Sequence, residues 1–111
     1  MELFEKQLGQ LRPANTTAAS LYSPATNVTG IAKNLVVSNT TSNLAKFRVF
    51  SDDDGTTYDE TTSLFFDVPL SGNTTVQIDM FVALDDPTGN FAVRTDTASA
   101  LTFTLFGAES V

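Results

Sequence analysis

The sequence predicts an all-β protein, an antiparallel β-sandwich or jelly roll of about seven or eight strands with a short N-terminal arm. Three observations lead to this fold class. Apolar and polar residues alternate with a period of two in several segments, helix formers never dominate a long window, and turn-forming clusters separate the segments. A chain of 111 residues builds one such domain. We place it at residues 13–111, with the arm at residues 1–12.

The arm is apolar on one side. Leu3, Phe4, Leu8 and Leu11 fit either one side of a short helix or an extended segment, and Pro13 closes the stretch. The first three of these residues precede the first strand signal and have no evident place in a sandwich core. We therefore predict a docking arm that becomes ordered when it contacts a partner.

The predicted strands follow in chain order, and the segment from Thr75 to Leu84 shows the pattern most clearly. Every second residue there is apolar, from Val76 to Leu84, which predicts a strand with one buried face. Turn-forming clusters at residues 54–55, 71–73 and 86–90 separate the strands. The other strands are marked by Ala18 to Tyr22, by Ile31, Leu35 and Val37 with Lys33 breaking the pattern, by Phe47 and Val49, by Leu64, Phe66 and Val68, by Phe91, Val93 and Thr95, and by Leu101, Phe103 and Leu105.

The cluster Asp52-Asp53-Asp54-Gly55 resembles the start of a calcium-binding loop. An EF-hand loop would need an oxygen ligand where Phe50 stands and a glutamate where Thr61 stands, and Glu60 comes one position early. The spacing therefore favours a hairpin connector whose Asp and Gly residues accept unusual backbone angles. An irregular calcium site, with Asp59 and Glu60 folded back, stays open as the alternative.

Composition narrows the function classes. The chain has no histidine and no cysteine, so the Ser-His-Asp and Cys-His arrangements and thiolate metal sites are excluded. We expect no enzyme activity, no cofactor, no metal and no catalytic residue. A formal net charge of −7 repels phosphate backbones and anionic lipids, so we expect neither nucleic-acid nor membrane binding. The N-terminal residues lack a basic region followed by an apolar core, so we expect no signal peptide.

Phenylalanines supply the best clue to function. If Phe47, Phe66, Met80 and Phe103 face the core, then four other phenylalanines fall on the opposite faces of their strands. These four are Phe50, Phe65, Phe81 and Phe106. A set of outward aromatic side chains indicates an interface with other subunits. Two alternatives remain: loops cover both faces of some strands, or bulges shift the register. The candidate interface residues are Leu3, Phe4, Leu8, Phe50, Phe65, Phe81 and Phe106.

Four segments, which cover most of the chain beyond residue 8, carry a resemblance to a known group of proteins. They are GQLRPANTTAASLYSPA (Gly9 to Ala25), FRVFSDDDGTTYDETTSLFFDV (Phe47 to Val68), NTTVQID (Asn73 to Asp79) and ASALTFTLFGAE (Ala98 to Glu109). Together they resemble small virion structural proteins of tailed bacteriophages. These segments are turn and strand sequences, so the resemblance supplies no catalytic residues.

The resemblance implies a non-enzymatic virion protein that is assembled in the bacterial host cytoplasm. The leading hypothesis is a capsid decoration (cement) subunit that binds the major capsid protein in many copies. A neck or tail accessory subunit bound to neck or tail proteins is the alternative, as is a receptor- or carbohydrate-binding module on the virion surface. An enzyme comes last. We expect a homo-oligomer, with a trimer as one option.

Overall fold

The computed structural model describes residues 3–55, 57–85 and 88–110. Its regular structure consists of eight strands. Among the described residues, no helix is long and apolar enough to cross a membrane. The strands are β1 (Leu3–Leu11), β2 (Ala19–Tyr22), β3 (Thr29–Asn39), β4 (Ala45–Asp52), β5 (Ser63–Leu70), β6 (Thr75–Leu84), β7 (Asn90–Thr95) and β8 (Leu101–Ser110).

The strands form two antiparallel four-stranded sheets. Sheet A has the order β1-β8-β3-β6, and sheet B has the order β2-β7-β4-β5. Strand β1 pairs with β8, β2 with β7, β3 with β6 and β4 with β5, as if one long hairpin had been rolled up. This is the arrangement of a jelly roll. The predicted fold class is therefore confirmed.

The core lies between the sheets and consists of alternate residues from each strand. Phe47 of β4 and Phe103 of β8 meet edge to face at its centre, with ring centroids 6.0 Å apart. Leu35 and Leu105 face the same space and are fully buried. Each such side chain contributes about 1.5–3 kcal/mol on removal from water. The core therefore fixes which face of each strand can be free for contacts.

The segment predicted as a separate arm is the edge strand β1, paired along β8 from Leu3 to Leu11. The expected boundary between arm and sandwich is thereby corrected, because β1 belongs to sheet A. A register shift between Gln7 and Gly9 explains the misleading pattern. It turns both Leu8 and Leu11 towards the core, so the apolar spacing imitates a helix. Whether this segment also docks on a partner stays a prediction.

The break in the pattern at Lys33 has a similar cause. The pairing of β3 shifts register between Ala32 and Asn34 on both of its sides, towards β6 and towards β8. The irregularity reverses the alternation within β3. Ala32 and Leu35 can therefore both lie in the core although they are three residues apart.

A polar cluster closes one end of the core. The Tyr22 hydroxyl donates a hydrogen bond to Glu109 Oε2 at 2.6 Å, and Lys6 Nζ lies 3.1 Å from Glu109 Oε1. Gly30 leaves the space that the Tyr22 ring fills, since a Cβ there would collide with the ring. The hydrogen bond from Tyr22 lowers the pKa of the Glu109 carboxyl, and the Lys6 ammonium lowers it further.

Replacing Tyr22 with phenylalanine removes the hydrogen bond and keeps the ring. We expect the free energy of unfolding at neutral pH to fall by about 1–2 kcal/mol, as for a hydrogen bond to a charged group. The lowered pKa of Glu109 makes its contribution full above about pH 4.3, the ordinary pKa of glutamate. That contribution is lost as the pH falls through the lowered folded-state pKa. Urea unfolding of parent and variant should therefore converge in acid.

The matched control is Tyr58→Phe, because the Tyr58 hydroxyl donates to the uncharged carbonyl oxygen of Gly55 at 3.2 Å. The difference in the free energy of unfolding between this variant and the parent should stay constant over the same acid range. A Tyr22→Phe difference that does not shrink in acid would contradict the assigned role of Glu109.

Candidate functional site

The outer face of sheet A carries an apolar patch. Residues paired directly across antiparallel strands share a face. Asp79, Asn34 and Phe106 form one row across three strands, and Asn34 Nδ2 donates to Asp79 Oδ1 at 2.7 Å. Farther along the same face lie Phe81 and the paired residues Ile31 and Ala83. We call Ile31, Phe81, Ala83 and Phe106 the outer apolar patch.

The two phenylalanines of this patch are the most informative members. Phe81 is 73% exposed and Phe106 is 41% exposed. Polar side chains occupy much of the rest of this face, with Gln10 bonded to Thr104 and Thr75 bonded to Ser38. Val36 and Leu3 are further apolar residues on it. An aromatic patch with a polar surround is the usual composition of a protein-binding surface.

An ion pair borders the patch. Lys33 Nζ lies 3.3 Å from Glu5 Oε2, so the pair reaches from β3 to β1 across β8. Both side chains are substantially exposed, and such a pair contributes little stability. Its position over the buried Ala108 separates Phe106 from Leu3, which is exposed at the far end of the same face.

The three N-terminal candidates fall in different environments. Leu3 and Phe4 are exposed, and Phe4 shares its face with Glu109 rather than with the outer apolar patch. Leu8 packs against the core. Leu8 is therefore unsuited to an interface, because the bulge in β1 turns it inward.

Phe50 points outward from sheet B but is not available for contacts. It pairs with Ala92 across β4 and β7, yet it is only 1% exposed. The loop between β4 and β5 covers it, and the Tyr58 ring lies 6.0 Å from the Phe50 ring, centroid to centroid. The predicted direction was right, but the predicted interface role is wrong because the loop buries the side chain.

Phe65 and Phe66 have exchanged places relative to the prediction. Phe65 pairs with the buried Val49 and packs against the core. Phe66 points outward and lies under Arg48, whose guanidinium carbon is 3.8 Å from the ring centroid. The pairing of β4 and β5 shifts register twice, and Asp67 has a positive φ of 51°. This bulge returns Val68 to the core face, which is why the run looked regular.

The acidic loop uses its carboxylates to hold its own backbone. Asp52 is buried, and its Oδ2 accepts the Thr57 N–H at 2.7 Å. Asp59 Oδ1 accepts the Thr61 N–H at 2.8 Å. Within the described part of the chain, no group of three or more acidic side chains is placed to hold a metal ion. These contacts shape the loop so that it covers Phe50.

Three of the six basic residues lie together on the outer face of sheet B. Arg48 and Arg94 are directly opposite across β4 and β7, and Lys46 lines the same shallow depression. Arg48 binds Asp67 through two hydrogen bonds of 2.7 and 3.2 Å. This pairing lowers the pKa of Asp67. Arg94 Nε donates to the Thr16 carbonyl oxygen at 2.7 Å. Internal partners therefore already engage both arginines.

No protein-family model and no curated protein matches this sequence. Among solved structures, a chain of infectious bursal disease virus, Gx strain, matches with a TM-score of 0.44 and 12% identity. A chain of the Gt strain matches with a TM-score of 0.38 and 12% identity. Each match covers 97% of this chain but only 31% and 29% of the viral chains. Both likenesses are too weak to bear on what this chain does.

The exchange of inward and outward phenylalanines is tested by stability. Phe65→Ala should lower the free energy of unfolding by about 3 kcal/mol, the low end for a buried phenylalanine, because Phe65 is only partly buried. Phe81→Ala should change it by less than about 0.5 kcal/mol. Urea unfolding of the two variants measures both values. Equal losses would contradict the assigned faces.

The loop interpretation is tested with calcium. We expect the melting temperature of the parent to be the same with calcium as with a chelator, because Asp52 already accepts a backbone N–H. Asp52→Ala should lower the melting temperature under both conditions, since the partly buried Thr57 N–H loses its acceptor. A calcium-dependent rise of several degrees in the parent, absent from Asp52→Asn/Asp54→Asn, would show that the loop binds the ion.

Proposed function

We propose that this chain is a non-enzymatic structural subunit of a bacteriophage virion, a capsid decoration (cement) subunit that binds the major capsid protein in many copies. The observation that carries the proposal is the outer apolar patch, where Phe81 and Phe106 are exposed on the outer face of sheet A. A subunit whose role is to bind other subunits needs such a surface and needs no reactive group.

Two further observations support the proposal. The segments Gly9 to Ala25, Phe47 to Val68, Asn73 to Asp79 and Ala98 to Glu109 resemble small virion proteins of tailed bacteriophages. The strand order is that of a jelly roll, an architecture that recurs in viral capsid domains and lectins. Fold alone does not fix function, so the exposed patch and the sequence resemblance carry more weight.

The patch suits repeated, individually modest contacts. Burying the exposed parts of two phenylalanines contributes at most about 3–6 kcal/mol, and part of this is lost to the entropy of association. A single contact of this kind is weak, but an oligomer that presents several copies binds a repeating lattice far more tightly. The proposal therefore includes a homo-oligomer and a partner that is itself repeated.

The distribution of charge supports the choice of partner. The net charge of −7 disfavours packaged nucleic acid as the partner. Beside the outer apolar patch, the Lys33 and Glu5 side chains neutralise each other, and the Asp79 carboxylate accepts a hydrogen bond from Asn34. An apolar contact of this kind is strengthened, not weakened, by moderate salt, because screening reduces the repulsion between acidic subunits.

Copy number distinguishes the decoration role from the neck or tail role. Gel densitometry of purified particles, against the major capsid protein, should give a subunit count on the order of hundreds for decoration. About six or twelve copies would place the protein at the neck or tail instead, where symmetry limits the number of subunits. Its absence from particles would overturn the virion assignment.

The contact itself is tested with Phe81→Ser/Phe106→Ser. We expect this variant to keep the parent's melting temperature within a few degrees and to lose binding to particles that lack the protein, measured by co-sedimentation. The control is Leu64→Ser/Phe66→Ser, which removes from sheet B two outward side chains that are 44% and 40% exposed. Loss of binding in the control alone would move the interface to sheet B.

A further inference from the structure

The four sheet edges of this jelly roll are unequally protected. An edge strand offers unpaired N–H and C=O groups, and proteins blunt such edges with short strands, proline, bulges or charges. In sheet B, β2 has four residues, and β5 contains Pro69 and the bulge at Asp67. In sheet A, β1 contains a register shift and the charged residues Glu5 and Lys6.

Strand β6 lacks most of these protections. It runs for ten residues without proline, and Asp79 is its one charged residue. Its register with β3 is regular from Thr75 to Asp79, and the shift comes only after Asp79. Among the described strands, β3 is the only one hydrogen-bonded to β6, so the other edge of β6 is open.

The direction of the main-chain groups follows from one hydrogen bond. Asn39 N–H donates to the Thr74 carbonyl oxygen at 2.9 Å. The N–H and C=O groups of successive residues point to opposite sides of a strand. Those of Val76 and Ile78 therefore point at β3, as the Thr74 carbonyl does. The N–H and C=O groups of Thr75, Gln77 and Asp79 therefore point away from the sheet. These three alternate residues offer a row of N–H and C=O groups with which a further antiparallel strand can pair.

Charge favours a second copy of this chain as the occupant of that edge. Two copies with a net charge of −7 each repel one another over most of their surfaces. Strand β6 carries one carboxylate in ten residues, and that carboxylate accepts a hydrogen bond from Asn34. Its edge is thus a place where two copies can meet with little opposition of like charges. An antiparallel pairing of one strand with itself is also self-complementary about a two-fold axis.

We propose that β6 pairs with β6 of a second copy, antiparallel and centred near Ile78. This register places Gln77 opposite Asp79 of the other copy and Thr75 opposite its Phe81. It opposes no two carboxylates and brings the exposed Phe81 ring against a neighbour. The two A sheets become one eight-stranded sheet whose outer face presents both copies of Phe81 and Phe106. The inference does not require the virion assignment.

The first test measures mass in solution. Sedimentation equilibrium of the parent chain should show a dimer at high micromolar concentration. Gln77→Pro removes an outward N–H and should yield a folded monomer, since proline is tolerated on an edge where the N–H faces solvent. The control is Gln10→Ala, which changes a side chain on the same outer face away from the edge of β6 and should stay dimeric. A proline control such as Thr102→Pro is unsuitable because β8 is an internal strand. A parent that is monomeric throughout overturns the proposal, as does a dimeric Gln77→Pro variant.

The second test does not depend on how proline is tolerated. The chain has no cysteine, so introduced thiols report on a single contact. Gln77→Cys/Asp79→Cys should form a reducible dimer under mild oxidation, because cross-strand neighbours lie within disulfide reach. Thr102→Cys/Thr104→Cys, with the same spacing on β8 of the same face, should not. Equal cross-linking of both variants would indicate contact between faces and would contradict pairing at the edge.

The two proposals fail separately. A Gln77→Pro variant that is monomeric but still binds particles leaves the decoration role intact and supports the edge pairing. A parent that is dimeric but absent from particles supports the edge pairing and overturns the virion role.

Discussion

Strand β8 lies between β1 and β3, and this placement is the constraint on which the rest of the structure depends. Its inward residues Leu101, Phe103 and Leu105 supply the middle of the core, and its two edges organise the rest of sheet A. Without β8, β1 would have no partner in its sheet, and Phe47 would lose the ring against which it packs. The last strand of the chain therefore joins its beginning to its middle.

The two sheets use their outer faces differently. On sheet B the acidic loop covers Phe50, and Arg48 lies over Phe66, so both aromatic rings already have partners within the chain. On sheet A Phe81 and Phe106 remain open, and the adjacent edge of β6 is open as well. The proposed contacts with a lattice and with a second copy both use sheet A.

The sequence allowed the fold class and most strands to be predicted, because alternation is a local property. Strand β6 was correctly assigned down to its faces, since Val76 to Leu84 keep one phase. The faces of β1 and β5 were not predicted correctly, because a bulge inserts a residue in each strand. The resulting apolar spacing imitates a helix in β1 and an unbroken strand in β5. At the candidate site, Phe81 and Phe106 are exposed as predicted. The burial of Phe50 by Tyr58 could not be predicted from strand periodicity, because the loop's path depends on tertiary packing.

The pairing of β1 with β8 also orders events during synthesis. Strand β1 is synthesised before the other described strands, but its one partner among them is completed about 100 residues later, so at about 5–20 residues per second it waits about 5–20 s. Until then its backbone groups and the side chains of Leu8 and Leu11 are unprotected. Folding must therefore finish after translation of β8, and such distant pairings make it slow. A nascent chain with this topology is vulnerable to aggregation for longer than a helical protein of the same length.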